Sequence, residues 1–307
     1  MLIDRIIKYS NKQFLIYGDR CGNTFCNHPS GKCSGSCYNC LYQIHFPGRF
    51  DGQSPKEKYD CPKMLYHYVC QYSYLYTSEL LCALEEESQY IDDFPYYHIL
   101  SLGCGGCADL MAFDLYRDRH QNLKAVSYVG VDVNQLWQPI HEEICDYCRD
   151  AGIRFQAKYD DVFKLLSDGE IRDANIVVIS YLISYLYNTN QIQYINSLAE
   201  DIGERVVKRK EEGQPLLLII NDVNSNRRGR DYFSCFKNAM RKTGLTLLNI
   251  KYKYFDTGNL NDFQRIGTPY NDHRIRDCMF NIPPDIKQKY NVYDGINQTV
   301  QLMLEVI

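Results

Sequence analysis

Long apolar runs are missing from this 307-residue chain. No stretch approaches the roughly 20 apolar residues that cross a bilayer, so no membrane contact is expected. The N-terminus, MLIDRIIKYSNKQF, has charge where a secretory leader needs an apolar segment, so no leader is expected either. Tracts of one charge sign are also missing. Lys and Arg total 34 against 38 Asp and Glu, a net charge of −4 with no basic tail. That balance argues against long-range capture of nucleic acid and leaves only a local patch open. Tryptophan occurs once, at Trp137. Together these absences predict a cytoplasmic protein of one or two domains.

Cysteine and tyrosine, by contrast, are plentiful, at 14 and 27 residues. In a large cytoplasmic chain such cysteines are thiols or metal ligands rather than disulfides. Five fall in CGNTFCNHPSGKCSGSCYNC: Cys21, Cys26, Cys33, Cys37 and Cys40. Cys61 follows, and His28 and His45 lie within reach. Gly, Ser, Asn and Pro dominate this stretch, so burial alone would not fold it and a bound metal would supply the missing free energy. Four thiolates, or three with a histidine, hold Zn²⁺ tetrahedrally. The expected ligands are Cys26, Cys33, Cys37 and Cys40, with Cys21 and Cys61 competing for the place given to Cys26. The spacing of Cys33, Cys37 and Cys40 also resembles that of radical S-adenosylmethionine enzymes, whose three thiolates hold a [4Fe–4S] cluster. Asn39 stands where their motif has an aromatic, and one long helix follows where their barrel needs repeated units. Zinc is therefore the first choice and an iron–sulfur cluster the alternative.

The rest of the chain is organised around YYHILSLGCGGCADLMAF, from Tyr96 to Phe113. An apolar run opens into the turn Gly103-Cys104-Gly105-Gly106, and a helix begins near Ala108. Strand, glycine turn and helix make the first nucleotide cradle of a doubly wound sheet. A second apolar run, AVSYVGVDVN, ends near Asp132, where an acid can accept both ribose hydroxyls of an adenosine ligand. A third strand leads to Asp160 and Asp161, placed to meet an adenine amino group. A fourth, Ile176 to Ile179, ends in Ser180-Tyr181. A fifth, PLLLIINDVN, ends in Asn221-Asp222. Strands apolar along their length are covered on both faces, which means a parallel sheet between two helix layers. Ligands in such sheets sit outside the carboxyl ends of the strands, where each of these polar residues falls.

The turn LSLGCGGCADL, the acids after the second and third strands, and the chain's end together resemble the class I S-adenosylmethionine-dependent methyltransferases, from about Tyr96 to Ile307. Gly244–Phe255 and Gln298–Ile307 both read as strands, matching the antiparallel hairpin that closes the family's sheet. The resemblance implies an α/β fold with a doubly wound, mostly parallel seven-stranded sheet and an antiparallel last strand. It implies S-adenosylmethionine bound by Gly103, Cys104, Gly105, Asp109, Asp132, Val133, Asn134, Asp160, Asp161 and Ser180. It places Ser180 and Tyr181 at the transferred methyl or the acceptor, with Asp222 as a candidate base. The [DN]-P-P-[YFW] segment of base N-methyltransferases is missing after the fourth strand, which counts against that acceptor class. The segment ISYLISYL more loosely resembles the mitochondrial ribosomal small-subunit methyltransferase-like family. Alternatives are a non-catalytic S-adenosylmethionine-binding assembly factor and a zinc-dependent nucleic-acid-binding protein.

Residues 1–60 are thus read as a Cys-rich metal-binding module, 61–95 as a linking helix and linker, and 96–307 as the methyltransferase-like domain. Leu65, Tyr68, Val69, Tyr72, Leu75, Tyr76, Leu80 and Leu81 recur at helical spacing, and the stripe is expected in the core. Ser78 and Glu79 on the same helix would help shape the acceptor pocket. Cys104 and Cys107 read as small buried fillers, and Trp137, Cys145 and Cys148 as packing. Arg227, Arg228 and Arg230 would contact an RNA, a protein or an anionic group on the acceptor. Residues 256–297 would form an inserted lid carrying His273, Arg274 and Arg276.

Overall fold

A computed structural model describes residues 1–18, 36–50, 56–122, 124–168, 174–207, 214–225, 228–255, 266–270, 279–293 and 299–307. Five strands follow the expected apolar runs: β1 (Tyr97–Leu102), β2 (Val126–Val131), β3 (Ile153–Lys158), β4 (Ile176–Ser180) and β5 (Leu216–Val223). They pair in parallel. β6 (Leu247–Tyr254) and β8 (Thr299–Val306) close the sheet, with β8 antiparallel between β5 and β6. The order is β3-β2-β1-β4-β5-β8-β6-β7. The sheet has eight strands where seven were expected, because the two residues of β7 (Thr268–Pro269) pair along the edge of β6.

The helices are α1 (Leu2–Tyr17), α2 (Cys37–His45), α3 (Pro62–Glu86), α4 (Ser88–Ile91), α5 (Ala108–Arg119) and α6 (Gln138–Asp150). They continue as α7 (Val162–Asp168), α8 (Leu182–Asn188), α9 (Gln193–Asp201), α10 (Phe233–Lys242) and α11 (Pro284–Tyr290). Successive strand residues feed opposite cores, as the pleat requires. Ile99, Val178, Leu217, Ile219 and Met303 pack beneath α1, α3, α5 and α6. Leu100, Val177, Leu218, Ile220 and Leu304 pack beneath α8, α9 and α10. Both faces of the sheet are therefore covered.

α3 is the element that joins the layers. Pro62 occupies its first turn, where the missing N–H costs nothing. Twenty-five residues long and buried almost all round, it packs against both α1 and α5. Leu2, Ile3 and Ile6 of α1, Leu65 and Val69 of α3, and Tyr97 and Tyr128 of the sheet belong to one core. Residues from segments 1–60, 61–95 and 96–307 thus meet in a single packed body. Among the described residues, no helix is long and apolar enough to cross a membrane.

A buried charge cluster fastens the far edge. Lys251 Nζ on β6 lies 2.9 Å from both Glu87 and Glu305. Burial raises the Glu87 carboxyl to about 7, while its bonds to Glu87 and Lys251 hold Glu305 below the usual range. Lys251→Met is expected to destabilise the protein by about 2 kcal/mol at pH 8, below the full cost of a buried unpaired charge because Lys251 is partly exposed. At pH 5, where Glu87 is protonated, the loss should shrink by more than half. Equal losses in thermal melts at the two pH values would rule this account out.

Candidate functional site

The glycine turn closes over the end of β2. Gly103 and Gly105 have φ of +71° and +46°, a region a side chain rarely adopts. This lets the backbone N–H groups of Gly103 and Cys104 both donate to the Val131 carbonyl, at 2.8 and 3.1 Å. Asp132, immediately after β2, ties the turn down from the other side. Its Oδ2 accepts from Gly105 N at 3.0 Å and its Oδ1 from Asn134 N at 2.9 Å. Burial raises the Asp132 carboxyl above its ordinary value, and these two backbone donors work against that rise. A third restraint comes from α6: His141 Nε2 sits 2.7 Å from the Gly105 carbonyl, and its Nδ1 sits 2.8 Å from the Tyr159 hydroxyl.

This arrangement opens onto a cavity of about 1300 Å³ at the carboxyl edge of the strands. Gly103, Gly105, Asp132, Val133, Asn134, Asp160, Asp161, Ser180 and Tyr181 all line it. Most of the residues expected at the site are therefore brought together. Val133 is 74% exposed, a large apolar side chain left bare beside the cradle. Asn134 has structural work as well, accepting from Leu136 N at 3.1 Å and donating to the Tyr59 carbonyl at 2.8 Å. Asp160 bonds Lys164, which lowers its pKa, and Asp161 accepts from Phe163 N at the start of α7.

Cys104 and Asp109 lie behind the turn, on a small adjoining cavity of about 40 Å³ whose lining includes Ser101 and, in common with the large cavity, Gly103, Gly105, Ser180 and Tyr181. Asp109 is buried in the first turn of α5, where Oδ1 accepts from Leu110 N and from the Tyr128 hydroxyl. Its Oδ2 has no hydrogen-bond partner, and burial raises this carboxyl to about 6. A buried carboxylate oxygen left open toward a small cavity is what a cofactor ammonium group would satisfy. Cys104 and Cys107 are buried, as expected of fillers, but they also converge with His141. The two sulfurs and a ring nitrogen lie within 4.8 Å of one another.

Asp222 is placed differently from the expectation. It is fully buried on β5 and does not line the large cavity. Its carboxylate accepts from Ser184 N at 3.1 Å and Val223 N at 2.7 Å, so it holds the first turn of α8. Arg228 lines the cavity, whereas Arg230 is buried and donates to Asn224. Arg227 lies outside the described residues, as do His273, Arg274 and Arg276. Of the expected metal ligands, Cys37 and Cys40 are buried on α2 and pack in one cluster with Cys61. Cys26 and Cys33 lie outside the described residues, as do Cys21 and His28.

The aromatic stripe of α3 corrects the sequence reading. Leu65, Val69, Leu80 and Leu81 do enter the core, but Tyr68, Tyr72 and Tyr76 line the large cavity. A helix buried on every side carries two apolar stripes of the same period, so periodicity alone could not separate them. Around these rings stand Tyr59, Tyr181, Tyr185, Tyr293, His45 and Trp137. Tyr76 and Tyr181 approach to 4.3 Å between centroids, and Tyr72 stacks on Tyr76 at 5.4 Å. Burial lowers the His45 pKa to about 4, so this histidine is neutral. The high tyrosine count was the available signal. Which tyrosines face the ligand depends on how α3 is rotated against the sheet.

No known protein-family pattern matches the sequence, and no curated protein matches it. Solved structures match it in fold. A candidate class I S-adenosylmethionine-dependent methyltransferase from Listeria monocytogenes is similar over 99% of this chain and 88% of its own, at 11% identity and a TM-score of 0.50. A candidate O-methyltransferase from Nostoc punctiforme is similar over 88% of this chain and 72% of its own, at 8% identity and a TM-score of 0.47. The plantazolicin methyltransferase BpumL, solved with a substrate analog and SAH, is similar over 98% of each chain, at 11% identity and a TM-score of 0.41. Identities this low speak to architecture alone. The chain has the α/β sheet, mostly parallel with a late antiparallel strand, of the methyltransferase-like folds.

Proposed function

We propose that this protein is an S-adenosylmethionine-dependent methyltransferase. The observation that carries the reading is the convergence of the turn at Gly103–Gly105, Asp132 and Ser180–Tyr181 on one large cavity at the carboxyl edge of a methyltransferase-like sheet. In this reading Asp132 takes the ribose hydroxyls, Val133 covers the adenine, and Asp109 faces the ammonium of the methionine part. The sulfonium carries its own leaving group, so the protein mainly aligns acceptor and methyl and excludes water. Ser180 and Tyr181 mark the acceptor end, with Tyr181 held in a left-handed backbone conformation at φ 55° between β4 and α8. Titration calorimetry with S-adenosylmethionine and with its demethylated product tests the reading. Micromolar binding of both is expected. No binding to metal-replete protein would sink it.

The metal reading is part of the proposal and has its own test. Cys37 and Cys40 stand one helical turn apart on α2, a spacing that lets two thiolates share an ion. Elemental analysis of the purified protein is expected to give about one zinc per chain. Iron with acid-labile sulfide would install the cluster instead. Substoichiometric zinc together with absent iron would remove the metal altogether.

A further inference from the structure

Glu79 is a fully buried carboxylate in the middle of α3, directly behind the acceptor end of the cavity. Its oxygens bond the Tyr181 hydroxyl at 2.9 and 3.1 Å, the Thr299 hydroxyl at 2.8 Å and Asn221 Nδ2 at 3.0 Å. Tyr181 and Thr299 line the cavity and lie 2.8 Å apart through their hydroxyls. Glu79 is thus one hydroxyl away from whatever occupies that end. No lysine, arginine or histidine among the described residues bonds it. Of the cavity's cations among the described residues, Arg49 lies over Tyr42 and Phe46, Arg228 lies over Tyr187, and Lys58 is exposed to solvent. A buried carboxylate without a cation is costly unless a ligand brings one.

The groups facing Glu79 reinforce this. Asp222 on β5 is a second buried carboxylate, and Coulomb repulsion between the two raises Glu79 further. From β8, Gln301 Nε2 donates to the Glu79 carbonyl, and Tyr270 bonds Gln301 in turn. Cys82, Glu85 and Glu86 follow on α3 itself and Glu87 caps it, and none of them is positive. Burial, the largest influence, pushes the Glu79 carboxyl to about 7, against the three hydrogen bonds that favour its charged form. Beside it stand Tyr72, Tyr76 and Tyr181, packed ring against ring along the cavity wall, whose phenols burial keeps neutral. Electron-rich rings around a site backed by a carboxylate form a receptor for an organic cation.

We propose that the methyl acceptor is a basic amine, seated as its ammonium at the Tyr181 and Thr299 hydroxyls, beside the tyrosine wall of Tyr72 and Tyr76, and paired with Glu79 through those hydroxyls. The inference rests on the methyltransferase reading and names its substrate class. An ammonium has no lone pair and must lose a proton before it can attack. One N–H bond breaks, its electron pair stays on nitrogen, and the proton passes through the hydroxyls to the Glu79 carboxylate. The freed pair then forms the N–C bond as the sulfonium carbon–sulfur bond breaks and its electrons go to sulfur. The methylated ammonium leaves with the neutral thioether, and Glu79 returns its proton to solvent.

Because Glu79 is protonated in the free protein below about pH 7, seating a cation should expel that proton. The probe is phenethylamine, with phenethyl alcohol as its neutral counterpart, titrated calorimetrically into the full chain with and without SAH. The wild type is expected to bind the amine at least tenfold more tightly than the alcohol. In buffers of different ionisation enthalpy, close to one proton should be released per amine at pH 6 and almost none at pH 9. Glu79→Gln should lose both the preference and the proton release while keeping SAH binding. Tyr181→Phe, which keeps the ring and is the milder change, should reduce the preference. Equal binding of amine and alcohol by the wild type, or unchanged proton release in Glu79→Gln, would overturn the proposal. Failure of SAH to bind the wild type would instead overturn the methyltransferase reading, and the amine titration without SAH would still report on Glu79.

Discussion

Asp132→Ala is expected to weaken binding of S-adenosylmethionine and SAH by at least about 100-fold, with the thermal midpoint within a few degrees of wild type. The carboxylate does two things at once. It holds Gly105 N and Asn134 N, which shape the turn, and under the proposed function its remaining lone pairs take the ribose hydroxyls. Hydrogen bonds to a charged group contribute about 1.5–3 kcal/mol each. Losing two to the ligand therefore costs about 3–4 kcal/mol or more, which is roughly 100- to 1000-fold in affinity. Stability should change little, because deleting a carboxylate whose burial opposes its charge offsets the loss of its two backbone partners. Asp132→Asn keeps one acceptor oxygen and should lose about tenfold. An Asp132→Ala affinity within threefold of wild type, measured by calorimetry, would show that this acid is only a loop restraint.

Gly130→Ala is the second large effect, and it reaches the turn from behind. A methyl group at Gly130 on β2 would fall 2.8 Å from Cys104 Sγ and 2.9 Å from Tyr128 Cε1. Neither neighbour can yield easily. Tyr128 is fully buried and its hydroxyl donates to Asp109, so turning the ring breaks that bond. Cys104 sits in the turn itself, with its backbone N–H committed to Val131. Overpacking of this kind costs about 1–3 kcal/mol in stability. Moving Cys104 also shifts the neighbouring Gly105, and with it the contact to Asp132, so affinity for the cofactor should fall by about tenfold as well. The double variant Gly130→Ala/Cys104→Ala removes the sulfur and should recover more than half of both losses. Additive losses in this cycle would assign the clash to Tyr128 alone.

Much of the architecture was legible because each apolar run has one reading. The runs ending at Leu102, Val131, Ile179 and Ile220 are apolar at consecutive positions, which fits only strands covered on both faces. The antiparallel close was legible from two strand-like segments after the fifth strand. That Gly103, Gly105, Asp132 and Ser180 would gather at one edge was legible because glycines and polar residues stand at the strand ends there. Asp222 was misread for the same reason. It lies near the end of β5, but the pleat turns its side chain under α8 rather than into the cavity.

By itself, then, the sequence indicated a mostly parallel α/β sheet closed by a late antiparallel strand, and the edge at which its polar residues gather. These depend on short runs of consecutive apolar residues and on the polar residues that end them. The tertiary structure alone decided what the far wall of the cavity is made of. Tyr72, Tyr76, Glu79, Tyr181 and Thr299 come from α3, the β4–α8 junction and β8, and the bonded pair Glu79 and Thr299 is 220 residues apart. Glu79 was expected near the acceptor pocket, but nothing local distinguishes its burial from that of the glutamates that follow it on the same helix. Only the docking of α3 across β5 and β8 buries this one behind two hydroxyls and leaves Glu85 and Glu86 at the surface. Burial is a property of the assembled fold, and burial is what sets both the chemistry of this carboxylate and the character of the ligand it would accept.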